Sequence, residues 1–343
     1  MGCDDGTVAM LLPYQGHPEI TDETPRAKSI VKEPKTTPAL RERGMTFQSV
    51  MNRAQRVEYD EFYTRYEDVE KELSMYDKRV WENKTVFCNC DDAVGKDENT
   101  TSAFALYFIK NFQALKLKKL ICTHYSGQID LFGQGAAGYI YTKTGFKAIG
   151  KYERLKDYNG SFDHPLSVEI LENEADIVCT NPSFSRAVDY WKLLIGSGKK
   201  FLIISNISNI VTKSYIGFFK NGKVWPGYNR VDNYINPKRE LVRAAGSWYT
   251  NLKIENRDRC GLLKIVPLKQ IPDKYIKYDD SGMLLVDQGF IPSDYKNPFG
   301  VSARPILNGV LELGYELIEA GEYYPYIEGQ KKFARVLIRK RAG

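Results

Sequence analysis

The segment Ile177-Val178-Cys179-Thr180-Asn181-Pro182-Ser183-Phe184 joins a short apolar run to an Asn-Pro break. An acid-rich stretch of helical character, residues 166–174, comes before it. A β-branched apolar run closing on Asn-Pro reads as a buried parallel strand whose C-terminal end opens into a loop, because proline cannot continue a ladder and restrains the residue before it. Ligands of open α/β sheets bind at such ends. The reading therefore predicts an α/β chain with a site at Asn181.

Asn181 offers a side-chain carbonyl oxygen, and Pro182 a main-chain carbonyl on a residue with no N–H. Two such acceptors, aimed at the hydrogens of an exocyclic amine conjugated to a ring, draw its nitrogen toward tetrahedral geometry. An amine with a delocalised lone pair needs that help before it attacks an electrophilic methyl group. Phe184, two residues on, is spaced to lie flat against the base. Such a base has to be flipped from its duplex or already single-stranded. On these four residues alone, however, an ordinary Asn-Pro turn outweighs the chemical reading.

The surroundings reverse that balance. Residues 181–184 resemble the [Asp/Asn/Ser]-Pro-Pro-[Tyr/Phe/Trp] motif of amino-methyltransferases, and residues 175–185 are similar to the corresponding segment of the EcoRI-type adenine-specific DNA methyltransferase family. Ser183 stands where that family has a second proline; neither acceptor is lost, but an extra N–H must find a partner, which implies reduced preorganisation. Upstream, Glu61-Phe62-Tyr63-Thr64 followed by Val69 resembles the family's Asp/Glu-x-x-Thr-x-x-x-x-Val element. The resemblance implies that Tyr63 and Thr64 line the methionine end of S-adenosylmethionine. Taken by itself, the stretch 47–77 is an amphipathic acidic helix with a solvated face.

Residues 84–92 read as a strand ending in two acids. In most class I methyltransferases the first strand ends in a glycine-rich turn. Here glycine is missing until Gly95, and Cys88-Asn89-Cys90-Asp91-Asp92 matches the family's own variant. This implies cofactor contacts from Asn89, Cys90, Asp91 and Asp92, with helix N-capping by either acid as the structural alternative. Gly160-Ser161-Phe162 stands in place of the family's Gly-Asp-Phe turn near the cofactor's adenine. Phe162 is the expected stacking ring, although Asn159-Gly160 is also simply a tight turn.

At 343 residues, 43% of them hydrophobic, the chain can hold one large α/β domain and a smaller one. No apolar run approaches the ~18 residues of a membrane span, and the N-terminus lacks the basic and apolar regions of a signal peptide, so a cytoplasmic location is expected. Net charge is +6, from 49 basic and 43 acidic residues, which permits a polyanion partner only if the charge is clustered. The six cysteines are scattered, and a Cys-x-Cys pair with three distant histidines is not a zinc site; free thiols and no metal are expected. Gly133-x-Gly135-x-x-Gly138 has neither the preceding strand nor the following helix of a dinucleotide fingerprint.

Three regions are expected: a flexible, proline-bearing tail at 1–45, a catalytic core at 46–252 and a target-recognition region at 253–343. Within the core the pattern predicts an aromatic-rich helix at 102–115, strands at 119–125 and 201–206, and a hairpin-like insertion at 126–151. Two further strands are expected at 224–228 and 247–252, with a polar loop, 229–245, between them. Trp248 and Tyr249 read as core and rim, with a place beside the flipped base as the lesser reading. Residues 333–339 alternate as a strand with cationic and apolar faces. Lys253, Arg257, Arg259, Lys331, Lys332 and Arg335 are the expected phosphate contacts, a solvated basic edge being the plain alternative.

The resemblance implies a class I, Rossmann-like S-adenosylmethionine-dependent sheet with a C-terminal recognition region. It implies methyl transfer to adenine N6 in double-stranded DNA at a specific sequence, by a monomer, with Asn181, Pro182 and Phe184 catalytic. A glutamine N5-methyltransferase acting on protein, an RNA adenine methyltransferase and a non-catalytic DNA-binding relative are the competing expectations.

Overall fold

The computed structural model describes residues 63–91, 101–123, 138–142, 145–148, 158, 160–183, 186–236, 239–255, 262–318 and 323–341. The expected tail at 1–45, and Asp92, Phe184, Arg257 and Arg259, lie outside the described residues.

Four apolar runs become the centre of the main sheet: β1 (Thr85–Asn89), β2 (Lys119–Thr123), β5 (Ile177–Thr180) and β6 (Lys200–Asn206). They are parallel neighbours, with Val86 beside Leu120 on one side and Ile177 on the other, and Val178 beside Phe201. Strands covered on both faces need no polar alternation, which is why these runs are apolar nearly end to end. The predicted insertion forms a hairpin, β3 (Gly138–Thr142) and β4 (Gly145–Ala148), which extends the sheet beyond β2.

Beyond β6 the structure corrects the expected polar loop. β7 (Trp225–Ile235) and β8 (Leu241–Thr250) form one long hairpin, so most of 229–245 is strand. Its polarity comes from position: β7 is the sheet edge, interrupted by register shifts between Pro226 and Arg230 and between Val231 and Asn233. An edge strand tolerates polar residues and bulges that a central strand does not. Among the described residues the sheet order is β4-β3-β2-β1-β5-β6-β8-β7, with β8 antiparallel and inserted between β6 and β7. This is the parallel-rich, Rossmann-like sheet that was expected.

Successive side chains of β8 point to opposite faces and mark the two helical layers. Trp248 packs against Phe104 of helix α2 (Ala103–Lys110), beside α1 (Tyr66–Leu73). Tyr249 packs against Trp191 of α4 (Ala187–Ser197), which also meets Tyr215 and Phe219 of α5 (Lys213–Lys220). Helix α3 (Pro165–Asn173) leads into β5. Trp248 and Tyr249 are both fully buried, as the core reading required.

The C-terminal region builds a second sheet, β10 (Ile276–Tyr278), β11 (Leu284–Val286), β13 (Phe299–Val301), β17 (Val336–Lys340) and β14 (Tyr315–Leu317), in that spatial order. Two-stranded pairs accompany it, β9 (Lys264–Val266) with β12 (Phe290–Pro292) and β15 (Tyr326–Ile327) with β16 (Gln330–Lys331). Its helix α6 (Ala303–Leu307) contacts the 3-10 turn Ile207–Val211 that leaves β6, and one apolar core runs through Trp191, Ile210, Ile306 and Val336. The last strand begins at Val336 rather than 333, which leaves Phe333 outside it.

Candidate active site

The C-terminal ends of β2, β1 and β5 are laced together by side chains. The Asn89 amide donates to the Thr123 hydroxyl at 2.8 Å, and the Asp91 N–H to the Thr123 carbonyl at 2.7 Å. Thr180, the residue before Asn181, donates its hydroxyl to Asp91 Oδ2 at 2.6 Å and also lies against the Asn89 carbonyl. The other Asp91 oxygen accepts from the Ser102 hydroxyl. Ser102 is the N-cap residue of α2, yet its hydroxyl makes no cap hydrogen bond. Asp91 is thus buried among hydroxyl donors and fastens the ends of β1 and β5 and a helix start to one another.

The turn after β1 has the left-handed backbone that glycine usually supplies, but here Cys90 adopts it, with φ of 75°. A side chain in that region costs about 1 kcal/mol or more. The cost is met locally by the Asp91 and Asn89 bonds that fix the turn. This explains how a strand end without glycine still bends sharply beside the site.

At the loop itself Asn181 and Ser183 are half-buried and Pro182 is buried. The two proposed acceptors therefore sit directly after the anchored Thr180, next to the end of β1. Phe184 lies outside the described residues.

Arg186 is the N-cap residue of α4. Its guanidinium carbon lies 4.6 Å from the Phe162 ring centroid, and Nη2 pairs with Asp163 at 2.6 Å. Hydrogen bonds from Arg186, and then from Ser161, hold the Asp163 carboxyl down to about 2. Phe162 is 8% exposed, with its ring edge-on to Tyr190 at 4.8 Å. The turn at 160–163 is thereby tied to the start of α4.

Tyr63 and Thr64 lie at the end of the β7–β8 hairpin. Tyr63 pairs by its backbone with Ile235, at 2.8 and 2.9 Å, and its ring is partly exposed under the Arg239 guanidinium. Thr64 is buried, and its hydroxyl has no hydrogen-bond partner among the described residues. A buried hydroxyl left unsatisfied costs roughly 1–3 kcal/mol, so a polar ligand group at this point fits the structure.

One residue that the sequence reading missed holds this segment in place. Glu72, on α1, is fully buried, and its carboxylate accepts from the Tyr228 N–H (2.7 Å), the Asn229 N–H (2.6 Å), the Asn229 amide (2.9 Å) and the Tyr76 hydroxyl (3.0 Å). Burial raises its pKa, and these donors oppose the shift. The bulge of β7 wraps the carboxylate and so docks α1 on the sheet. Charge on the exposed face of an acidic helix looks no different in sequence.

The expected DNA contacts divide. Lys253 is exposed and paired with Glu255 at 2.7 Å. Lys331 stands 3.8 Å over the Tyr324 ring and Lys332 donates to Gln330. Arg335 departs from the expectation: its side chain is only 16% exposed and pairs with Asp287 at 3.0 Å, because Asp287 draws it into the second sheet. No group of metal-ligating side chains occurs among the described residues, and none of their helices is long and apolar enough to cross a membrane.

Comparison with known proteins places these features in a family. The profile described as adenine-specific methyltransferase EcoRI matches residues 50–325. The Type II methyltransferase M.EcoRI of Escherichia coli is 31% identical over 328 residues, 85% of this chain and 96% of that protein. M.MgeORF184P of Mycoplasma genitalium is 34% identical over 223 residues, 59% and 64% of the two chains. M.MpnI of Mycoplasma pneumoniae is 27% identical over 333 residues, 84% and 98%. No solved structure gives a significant match.

Proposed function

The chain belongs to the EcoRI family of adenine-specific methyltransferases, and we propose from this premise how its loop and strand ends methylate DNA. It is a site-specific DNA adenine methyltransferase of the restriction-modification type, on a class I sheet. The donor is S-adenosylmethionine, which supplies a methyl group already electrophilic on its sulfonium.

Asn181 accepts one N6 hydrogen through its side-chain oxygen, and the Pro182 carbonyl accepts the other. The two acceptors localise the lone pair on N6 and aim it at the methyl group. Phe184 stacks on the flipped adenine. No strong base is needed, because bond formation makes the N6 nitrogen positively charged and acidic, and its proton passes to water. Thr64 and Tyr63, with Asn89, Cys90 and Asp92, hold the donor. Asp91 acts on Thr180 and Ser102, and so positions the catalytic loop instead of binding the donor itself.

Residues 253–343 recognise the target, and Lys253, Arg257, Arg259, Lys331 and Lys332 meet its phosphates. The enzyme works as a cytoplasmic monomer. The observation that carries this reading is the pair of acceptors, Asn181 and Pro182, at the end of β5 and fastened through Thr180 to the end of β1. The decisive experiment is incorporation of tritiated methyl into unmethylated duplex DNA, with digestion to nucleosides. Labelled N6-methyl-2′-deoxyadenosine is the expected product. Label appearing only in protein or RNA supplied under the same conditions, or no label despite donor binding, would favour the competing readings.

A further inference from the structure

We propose that the segment 323–335 is a preformed DNA-docking hairpin whose Phe333 ring stacks against bases of the duplex while Lys331 and Lys332 meet the flanking phosphates. The proposal rests on the reading of this chain as a DNA methyltransferase, and names the element by which the duplex is gripped.

The hairpin is held at both ends. At its base, Tyr323 and Arg335 pair by their backbones, at 3.2 and 2.7 Å, and the Tyr323 hydroxyl bonds to Asp279. Arg335 is pinned to Asp287. At its tip, Asp280 accepts from the N–H groups of Glu328 and Gly329, both at 3.0 Å, while its own N–H donates to the Tyr326 carbonyl at 2.8 Å. The Lys332 N–H donates to the Pro325 carbonyl at 2.8 Å. Two adjacent aspartates are thus spent on anchoring a two-stranded element, which in isolation is only marginally stable in water.

What this mount presents is apolar and basic together. Phe333 is 77% exposed, with Tyr326 at 49% on the same hairpin. Lys331 and Lys332 have no carboxylate within ion-pair distance among the described residues, unlike Lys253 and Arg335. A phenyl ring kept in water on an ordered support, next to two unneutralised ammonium groups, matches a base face beside a phosphate chain. Because the hairpin is already ordered, binding does not have to order it.

The test uses the full-length protein and measures duplex affinity, its salt dependence and, separately, donor binding. Phe333→Ala should weaken duplex binding about 5- to 150-fold, the range for loss of one base–aromatic stack, with donor binding and thermal stability unchanged. Lys331→Gln with Lys332→Gln should lower the slope of log affinity against log salt by about 2. Phe333→Trp should bind like the natural protein, its tryptophan emission quenched by duplex. Unchanged affinity in Phe333→Ala, with no quenching in Phe333→Trp, overturns the hairpin proposal while leaving the methylase reading intact. A natural protein that binds no duplex at all removes the functional reading, and the hairpin with it.

Discussion

The Glu72 carboxylate fills the space that a side chain on Gly227 would need: a Cβ built there overlaps Glu72 Oε1 and the Cβ of Trp248. Gly227→Ala should therefore push α1 off the sheet and destabilise the fold by about 1–3 kcal/mol, the usual range for overpacking. Glu72→Gln should lose a similar ~1–3 kcal/mol, since its NH2 group turns a donor toward N–H groups that need an acceptor. Urea unfolding of both variants checks this. Donor affinity should fall in parallel, because α1 carries the Thr64 segment.

On the proposed function Asp91 is a positioning residue, acting through the Thr180 and Ser102 hydroxyls. Asp91→Ala strands both and should lower kcat about 10- to 100-fold, a loss of roughly 1.4–2.7 kcal/mol in the transition state. Asp91→Asn should recover most of that loss, since a hydroxyl can accept from an amide as readily as it donates to a carboxylate. Steady-state kinetics and donor titration separate the cases. A tenfold loss of donor affinity in Asp91→Asn, with kcat unchanged, would instead make Asp91 a donor ligand.

On the proposed function, Asn181→Ala takes away one acceptor for the target amine. Methyl transfer should vanish while donor binding stays within about twofold, because the interaction lost is made in the transition state. Ser183→Pro should preserve or raise the rate by stiffening the loop at a position that already follows proline. A folded but inactive Ser183→Pro protein would show that the loop takes a different path to the base.

Asp163 should titrate at about 2 in the natural protein, and Arg186→Gln should bring it up toward 3.8. The folded value is depressed, so the pair stabilises the fold above the unfolded value and ceases to do so as pH falls through the folded one. The difference in stability between the two proteins should be constant near neutrality and shrink between 3.8 and about 2. The pair is half exposed, so the difference is small and the carboxyl chemical shift is the better readout.

Much of the catalytic sheet was legible because its strands are short apolar runs that end in turn residues, as at Cys179-Thr180-Asn181-Pro182. Local pattern suffices where burial on both faces leaves one choice. The β7–β8 hairpin was not legible, because an edge strand with bulges carries the polar residues of a loop. Glu72 was missed for another reason: its partner Tyr228 lies 156 positions away, and no periodicity announces a donor at that distance. Asp91 sits between these cases. Its place at a strand end was readable, but the hydroxyls it serves come from Ser102 and Thr180, on other elements.

The backbone pairing of Tyr63 with Ile235 also orders events during synthesis. At about 5–20 residues per second, a ribosome needs roughly 10–35 s to make the ~170 residues between them, and the exit tunnel adds to the wait. Throughout that interval the nascent chain has its β1 strand but no edge against which the Thr64 segment can be placed. A chain that has not yet reached Ile235 therefore cannot fix the Thr64 segment, and on the proposed function it has no finished donor site.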